Sequence, residues 1–196
     1  MVKSQLDYVF CPFCTKALNI KLEEEKERKY CRECKWTHYP SPHIAVSGIA
    51  IRNKPLSGNK KLQILMVRRN REPFKNMWSL PAGFVDYGEH PETALQREVR
   101  EETGLTVARY QLFRMRISND DPRSPNQLSL SYKIDVVGEI QYVYFEENSA
   151  VNLTYLDPLN NMEIAWNNHR NLFEMASKEP DLFLFSNPQS KKGETE

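Results

Sequence analysis

The sequence predicts an α/β domain preceded by a small cysteine-framed module. Three observations predict it. All four cysteines fall before residue 35, in two closely spaced pairs. Two prolines at positions 40 and 42 then break the chain. Beyond them, runs of β-branched and aliphatic residues alternate with helical patterns, the mark of an α/β fold.

A chain of 196 residues suits one domain of ordinary size and a small appendage. Apolar residues make up 40% and charged residues 27%, the balance of a globular protein. No stretch approaches the roughly 18 consecutive apolar residues of a membrane span, so no membrane partner is expected. The first residues lack an apolar signal core, and a cytoplasmic protein is the expectation. The net charge of +1 gives no global nucleic-acid signature.

Residues 1–38 form the predicted front module. Cys11 and Cys14 pair at C-x2-C spacing, as do Cys31 and Cys34, with sixteen residues between the pairs. Two such knuckles can set four thiolates tetrahedrally around Zn²⁺. Four protein ligands leave no open position, so such a zinc would be structural. Reduced free thiols or a redox pair are the alternatives. The charged stretch 21–29 between the knuckles reads as a solvated connector.

Residues 39–185 form the predicted main domain. Strands are expected at 44–51, 62–67, 107–117, 128–137 and 140–145, with a turn over 56–61. A helix should start near Pro91, which suits the first helical position, and stop before Gly104. A last helix is expected over 162–176. Its Met162, Ala165, Trp166, Phe173 and Ala176 form one stripe, read as core packing. Residues 186–196 are polar and expected to be disordered. The chain has no internal repeat.

The informative stretch is 83–105. Glu98, Glu101 and Glu102 stand at i, i+3 and i+4, on one face of a helix. Three carboxylates crowded there repel one another, and something positive should offset them. Arg97 can help, with Glu89 as its partner across the loop. A divalent cation would help more, and an oxygen-only set suits Mg²⁺ or Mn²⁺. Leu95 and Val99 can anchor the opposite face to a sheet. Gly83 and Gly88 allow a tight turn and a close backbone approach. A solvated acidic helix is the bland alternative.

The spacing of this stretch resembles the Nudix box, Gly-x5-Glu-x7-Arg-Glu-U-x-Glu-Glu-x-Gly-U, where U is a bulky aliphatic residue. All nine specified positions are filled, by Gly83, Glu89, Arg97, Glu98, Val99, Glu101, Glu102, Gly104 and Leu105. The resemblance implies a mixed sheet between helices, with the box as loop–helix–loop. It implies hydrolysis of the diphosphate in a nucleoside diphosphate linked to another group. It makes Glu98 and Glu102 metal ligands, with Glu101 sharing metal or activating water. A backbone oxygen near Gly83 would add a ligand, and Arg97 with Glu89 would hold the loop to the helix. Glu146 and Glu147 are candidates outside the box that no motif fixes.

The ribbon followed by the box is similar to NADH pyrophosphatases and to zinc-ribbon enzymes of ADP-ribose or FAD. The NADH group carries Ser-Gln-Pro-Trp-Pro-Phe-Pro after the box. Residues 118–125 keep Ser118 and Pro122 but lack the Trp and Phe. ADP-ribose or a related adenosine-diphosphate compound is therefore expected over NADH. Asp120, Asp121 and Arg123 would there meet ribose hydroxyls or solvent. Lys60, Lys61, Arg68, Arg69 and Arg71 could contact phosphates, or could simply be solvated. An RNA-cap enzyme and a zinc-ribbon module that binds nucleic acid or protein are the less favoured alternatives. The expected partner is a small nucleotide, with homodimerisation left open.

Overall fold

The computed structural model describes residues 8–56, 59–124, 126–140, 148–155 and 162–185. In the front module, β1 (Asn19–Glu23) and β2 (Lys26–Tyr30) pair antiparallel. The stretch read as a solvated connector is therefore a hairpin. Its turn residues Glu24 and Glu25 both adopt positive φ, 49° and 61°. That is the backbone hand of the two-residue turns that match strand twist. Charged side chains disguise the strands, and the one apolar pair, Ile20 and Leu22 on β1, stays exposed. The two cysteine knuckles are one turn built twice. Cys11 N–H donates to the Lys16 carbonyl and Cys31 N–H to that of Trp36, each at 2.8 Å.

The main domain is a mixed sheet. Its strands are β3 (Ile44–Leu56), β4 (Asn59–Arg69), β5 (Trp78–Ser79), β6 (Ala82–Phe84), β7 (Thr106–Ser118), β8 (Gln127–Val137) and β9 (Asn148–Tyr155). The order runs β5-β4-β3-β8-β7, with β6 on β3 and β9 on β4. β3 runs parallel to β8, and the other pairings are antiparallel.

Period-two alternation gives this sheet two buried faces. On β4, Leu65 and Val67 enter one core with Leu95 and Val99 of the helix α1 (Pro91–Thr103). Ile64 and Met66 enter the other, with Leu172, Phe173 and Ala176 of α2 (Asn167–Lys178) and Phe183 of a short 3-10 turn. The sheet thus lies between helices, as the box resemblance implied. α1 starts and stops where expected, and Gly104 closes it in a left-handed conformation, φ 74°.

The last helix departs from expectation. It begins at Asn167, not 162. Residues 163–165 run extended beside β5, where Trp78 N–H donates to the Glu163 carbonyl and Ala165 N–H to that of Trp78, both at 2.8 Å. Trp78 thus takes the backbone groups that a helix would use. Asp120, from the loop after β7, accepts from Asn168 N–H at 3.2 Å and so caps α2 from afar. Strand β9 had no counterpart in the sequence reading. Most of the strand expected at 140–145 lies outside the described residues, as do Glu146, Glu147 and the tail from 186.

One ion pair fastens the loop before α1 to the helix. Arg97 donates from Nε to Glu89 Oε1 at 3.0 Å and from Nη2 to Glu89 Oε2 at 2.9 Å. Its Nη2 also donates to the Phe84 carbonyl at 3.0 Å. Glu89 in turn accepts from Asp86 N–H at 3.1 Å. The Arg97 guanidinium, helped by that N–H, lowers the Glu89 carboxyl to about 2. A lowered carboxylate contributes stability above its unfolded pKa of about 4.3, and loses it as pH falls towards the folded value. Glu89→Gln should therefore flatten the acid limb of the stability curve between about pH 4.5 and 2. Urea denaturation of both proteins across that range checks it, and parallel limbs would show that the pair contributes nothing.

Candidate active site

α1 carries the box carboxylates to one wall of a cleft of about 550 Å³. Glu102 is buried, and its Oε2 accepts from Ala82 N–H at 2.9 Å. Glu98 packs so closely on β6 that a Cβ added at Gly83 would run into its carboxylate. Glycine is needed there for backbone approach. Glu101 is half exposed at the mouth. Arg97 also reaches this group, donating from Nη1 to Glu98 at 2.7 Å and to Glu101 at 3.3 Å. Its bonds to Glu89 and then Glu98 hold its own pKa above the usual arginine range.

The residues fit a hard divalent cation. The donors on this wall are carboxylate oxygens, with the backbone of Gly83 beside them. They are not drawn into a closed cage. Among the described residues, the only group of three or more potential ligands whose atoms lie within 4.8 Å of one another is the four cysteines. A half-open carboxylate wall suits Mg²⁺ or Mn²⁺, which share their coordination with water and phosphate.

The same cleft also carries basic residues. Arg69 on β4 is buried, donates from Nε to the Pro73 carbonyl at 2.8 Å, and lies 4.5 Å from the centre of the Trp166 ring. Burial, then the charges of Arg123 and Arg71, lower its pKa. Arg71 and Arg123 line the same cleft. Arg68 instead is exposed and donates to the Asn76 carbonyl at 3.0 Å. The side chains of Lys60 and Lys61 lie outside the described residues.

The aspartates after β7 serve the fold. Asp121 is buried and takes both Arg123 Nε, at 3.0 Å, and Nη2, at 2.7 Å. Burial alone would raise its pKa, but the bonds from Arg123 outweigh it and the net direction is down. Asp120 caps α2. Both thus have protein partners, where the sequence reading gave them ribose hydroxyls or solvent.

Trp166, Asn168 and His169 also line the cleft. The sequence reading placed Trp166 on an apolar core stripe and passed over the other two. The signal was present. A core-facing stripe should not be broken by the polar run 167–170, and that run marks the helix start.

In the front module the four sulfurs converge, with Cys14 and Cys31 Sγ 3.5 Å apart. Zn–S bonds of about 2.3 Å at a tetrahedral centre would set sulfurs roughly 3.8 Å apart, so the cluster fits zinc. Cys34 N–H points at Cys31 Sγ at 3.4 Å, which suits a thiolate. All four cysteines are free of disulfides.

The NUDIX domain model matches residues 41–175. An ADP-ribose pyrophosphatase of Methanocaldococcus jannaschii is 38% identical over 105 residues, 53% of this chain and 57% of that one. An NAD-capped RNA hydrolase NudC of Vibrio cholerae is 29% identical over 142 residues, 72% of this chain and 47% of that one. The chain thus spans about half the length of the curated relatives it matches. Among solved structures, a NUDIX hydrolase from Nitrosomonas europaea superposes with TM-score 0.67 at 21% identity, covering 89% of this chain and 93% of that one. The NUDIX domain of Shewanella oneidensis NrtR, complexed with ADP ribose, gives 0.60 at 22% identity, covering 76% and 92%. These two likenesses are of fold. With the filled box, the mixed sheet between helices and the family match over most of its length, the chain belongs to the NUDIX domain family.

Proposed function

We propose that the chain is a divalent-metal-dependent pyrophosphohydrolase of adenosine-diphosphate compounds, with ADP-ribose or FAD as substrate. The products would be a nucleoside monophosphate and a phosphorylated remainder. One observation carries the reading: a single cleft is lined by the box carboxylates and by Arg69, Arg71 and Arg123. The likeness to the Methanocaldococcus jannaschii ADP-ribose pyrophosphatase supports it.

Glu98, Glu101 and Glu102 would hold the cation, with a backbone oxygen near Gly83. When bound, such an ion neutralises phosphate oxygens and lowers the pKa of water. The chain's own residues do the rest. Arg71 and Arg123, which line the same cleft, would offset the charge of the diphosphate. Ala82 N–H holds Glu102 in one orientation. Arg97 and Glu89 fix the loop, so the carboxylates keep their spacing as the cleft fills. Glu101, half exposed, is placed to take a proton from attacking water.

A second reading is hydrolysis of an NAD-type dinucleotide. The likeness to NudC favours it, and Trp166 gives the cleft the aromatic ring that the loop after β7 lacks. Measuring kcat/KM for ADP-ribose, FAD, NADH and capped RNA under one metal condition separates the two. ADP-ribose or FAD should lead, and Glu102→Gln should lose orders of magnitude in turnover with its fold intact. An NADH ratio about tenfold above both would replace the first reading with the second.

We further propose that residues 1–38 are a zinc ribbon and 39–185 the catalytic domain. Cys31→Ser should lose the one zinc per chain and loosen the ribbon, while the catalytic metal stays. Elemental analysis of protein purified without chelator decides it. A wild-type chain free of zinc would end the proposal.

A further inference from the structure

Among the described residues, the buried side-chain nitrogen and oxygen atoms without a hydrogen-bond partner are Arg69 Nη2, Gln127 Oε1, Asn168 Oδ1 and His169 Nδ1. All four side chains line the one cleft. Buried polar atoms are rarely left unpaired, and unpaired ones call for an explanation. Arg69, Asn168 and His169 are only 7%, 4% and 6% exposed. Their gathering on a single cavity points to groups held ready for a ligand.

The hydrogen bonds made to neighbouring groups leave one end of each side chain over. Asn168 Nδ2 donates to Ser131 Oγ at 3.4 Å, so its carbonyl oxygen remains. Gln127 Nε2 donates to Ser129 Oγ at 3.0 Å, so its oxygen remains too. Arg69 uses Nε on Pro73, and Nη2 remains. The His169 ring stands edge-on to Trp166, centroids 5.1 Å apart. Burial lowers His169 to about 4, so at neutral pH it is an uncharged imidazole.

Neither a bare phosphate nor a bare cation satisfies this set of atoms alone. A phosphate offers only acceptors, which would suit Arg69 but repel the two carbonyl oxygens. A cation would suit the oxygens and be repelled by Arg69. A flat ring with an amino donor beside a ring-nitrogen acceptor satisfies both kinds, and Trp166 adds an aromatic surface next to them.

We propose that Arg69, Trp166, Asn168 and His169 form the subsite for the amino-bearing purine of the substrate. In it Asn168 accepts from the exocyclic amine, and Arg69 donates to an adjacent ring nitrogen. The proposal rests on the reading of the cleft as a nucleotide site and names the part of the substrate that this wall receives.

The test uses the full chain. AMP and purine riboside 5′-monophosphate, which differ only in the 6-amino group, are titrated by calorimetry with Mg²⁺ present. AMP should bind about tenfold or more tightly, since the analogue leaves the Asn168 oxygen unpaired. Asn168→Ala should bring the ratio near one, with Asn168→Ser as the milder cut if the alanine variant does not fold. Equal binding of the two nucleotides by the wild type would overturn the proposal and leave this wall to ribose or water. An undiminished preference in a folded Asn168 variant would also overturn it. Monophosphate binding needs no diphosphate cleavage, so the two readings fail separately. A chain that prefers AMP but cleaves no diphosphate keeps the subsite and loses the proposed activity. One that cleaves ADP-ribose without preferring AMP keeps the activity and loses the subsite.

Discussion

Mutual repulsion among the carboxylates of α1 is the constraint on which the site depends. Glu98, Glu101 and Glu102 share a face, and Glu102 is taken almost out of water. Burial of a charge is costly unless a partner meets it. Ala82 N–H meets Glu102, and Arg97 is the partner of the other two carboxylates. It binds Glu89 at two points and reaches Glu98 and Glu101 from the same guanidinium. One arginine therefore fixes the loop and offsets the helix. A lysine could not do both, because the pairing needs the planar fork.

The sheet turns this local arrangement into a cleft. Because β4 buries both faces, α1 and α2 are held on opposite sides of one rigid layer. The box carboxylates enter the cleft from α1 and the polar residues at the start of α2 enter it from the other side. Arg69 lines the same cleft from the end of β4. Its guanidinium against Trp166 couples that strand to the helix start. The capping of α2 by Asp120 adds a third tie, from the loop after β7. Binding groups thus sit on elements whose positions are set by packing, which favours a preformed site.

Much of this was legible in the sequence because it is local. The spacing of Glu98, Glu101 and Glu102 needs only helical geometry, and Pro91 and Gly104 mark the ends of α1 by their backbone preferences. The cysteine spacing is equally local. What the sequence hid is tertiary. The start of α2 is set by Trp78 and Asp120, far away in the chain, so periodicity alone extended the helix to residue 162. The same error buried Trp166 in a core stripe and concealed the polar wall. The β1–β2 hairpin was missed because β2 is almost wholly charged and the only apolar alternation, Ile20 and Leu22 on β1, is two residues long and left exposed. The partnering of Asp121 by Arg123 depends on how the loop after β7 folds back, which composition cannot show.

A divalent cation would complete the box wall. The most direct measurement is thermal unfolding of the full chain with and without millimolar Mn²⁺. A ligand that binds only the folded state stabilises it by about 2.7 kcal/mol at a hundred times its dissociation constant. For a domain of this size that is roughly 5–10 °C in Tm. The account predicts a rise of that order in the wild type and its loss in the Glu98→Gln, Glu102→Gln double variant. An equal rise in both proteins would contradict it, because the cation would then be bound elsewhere.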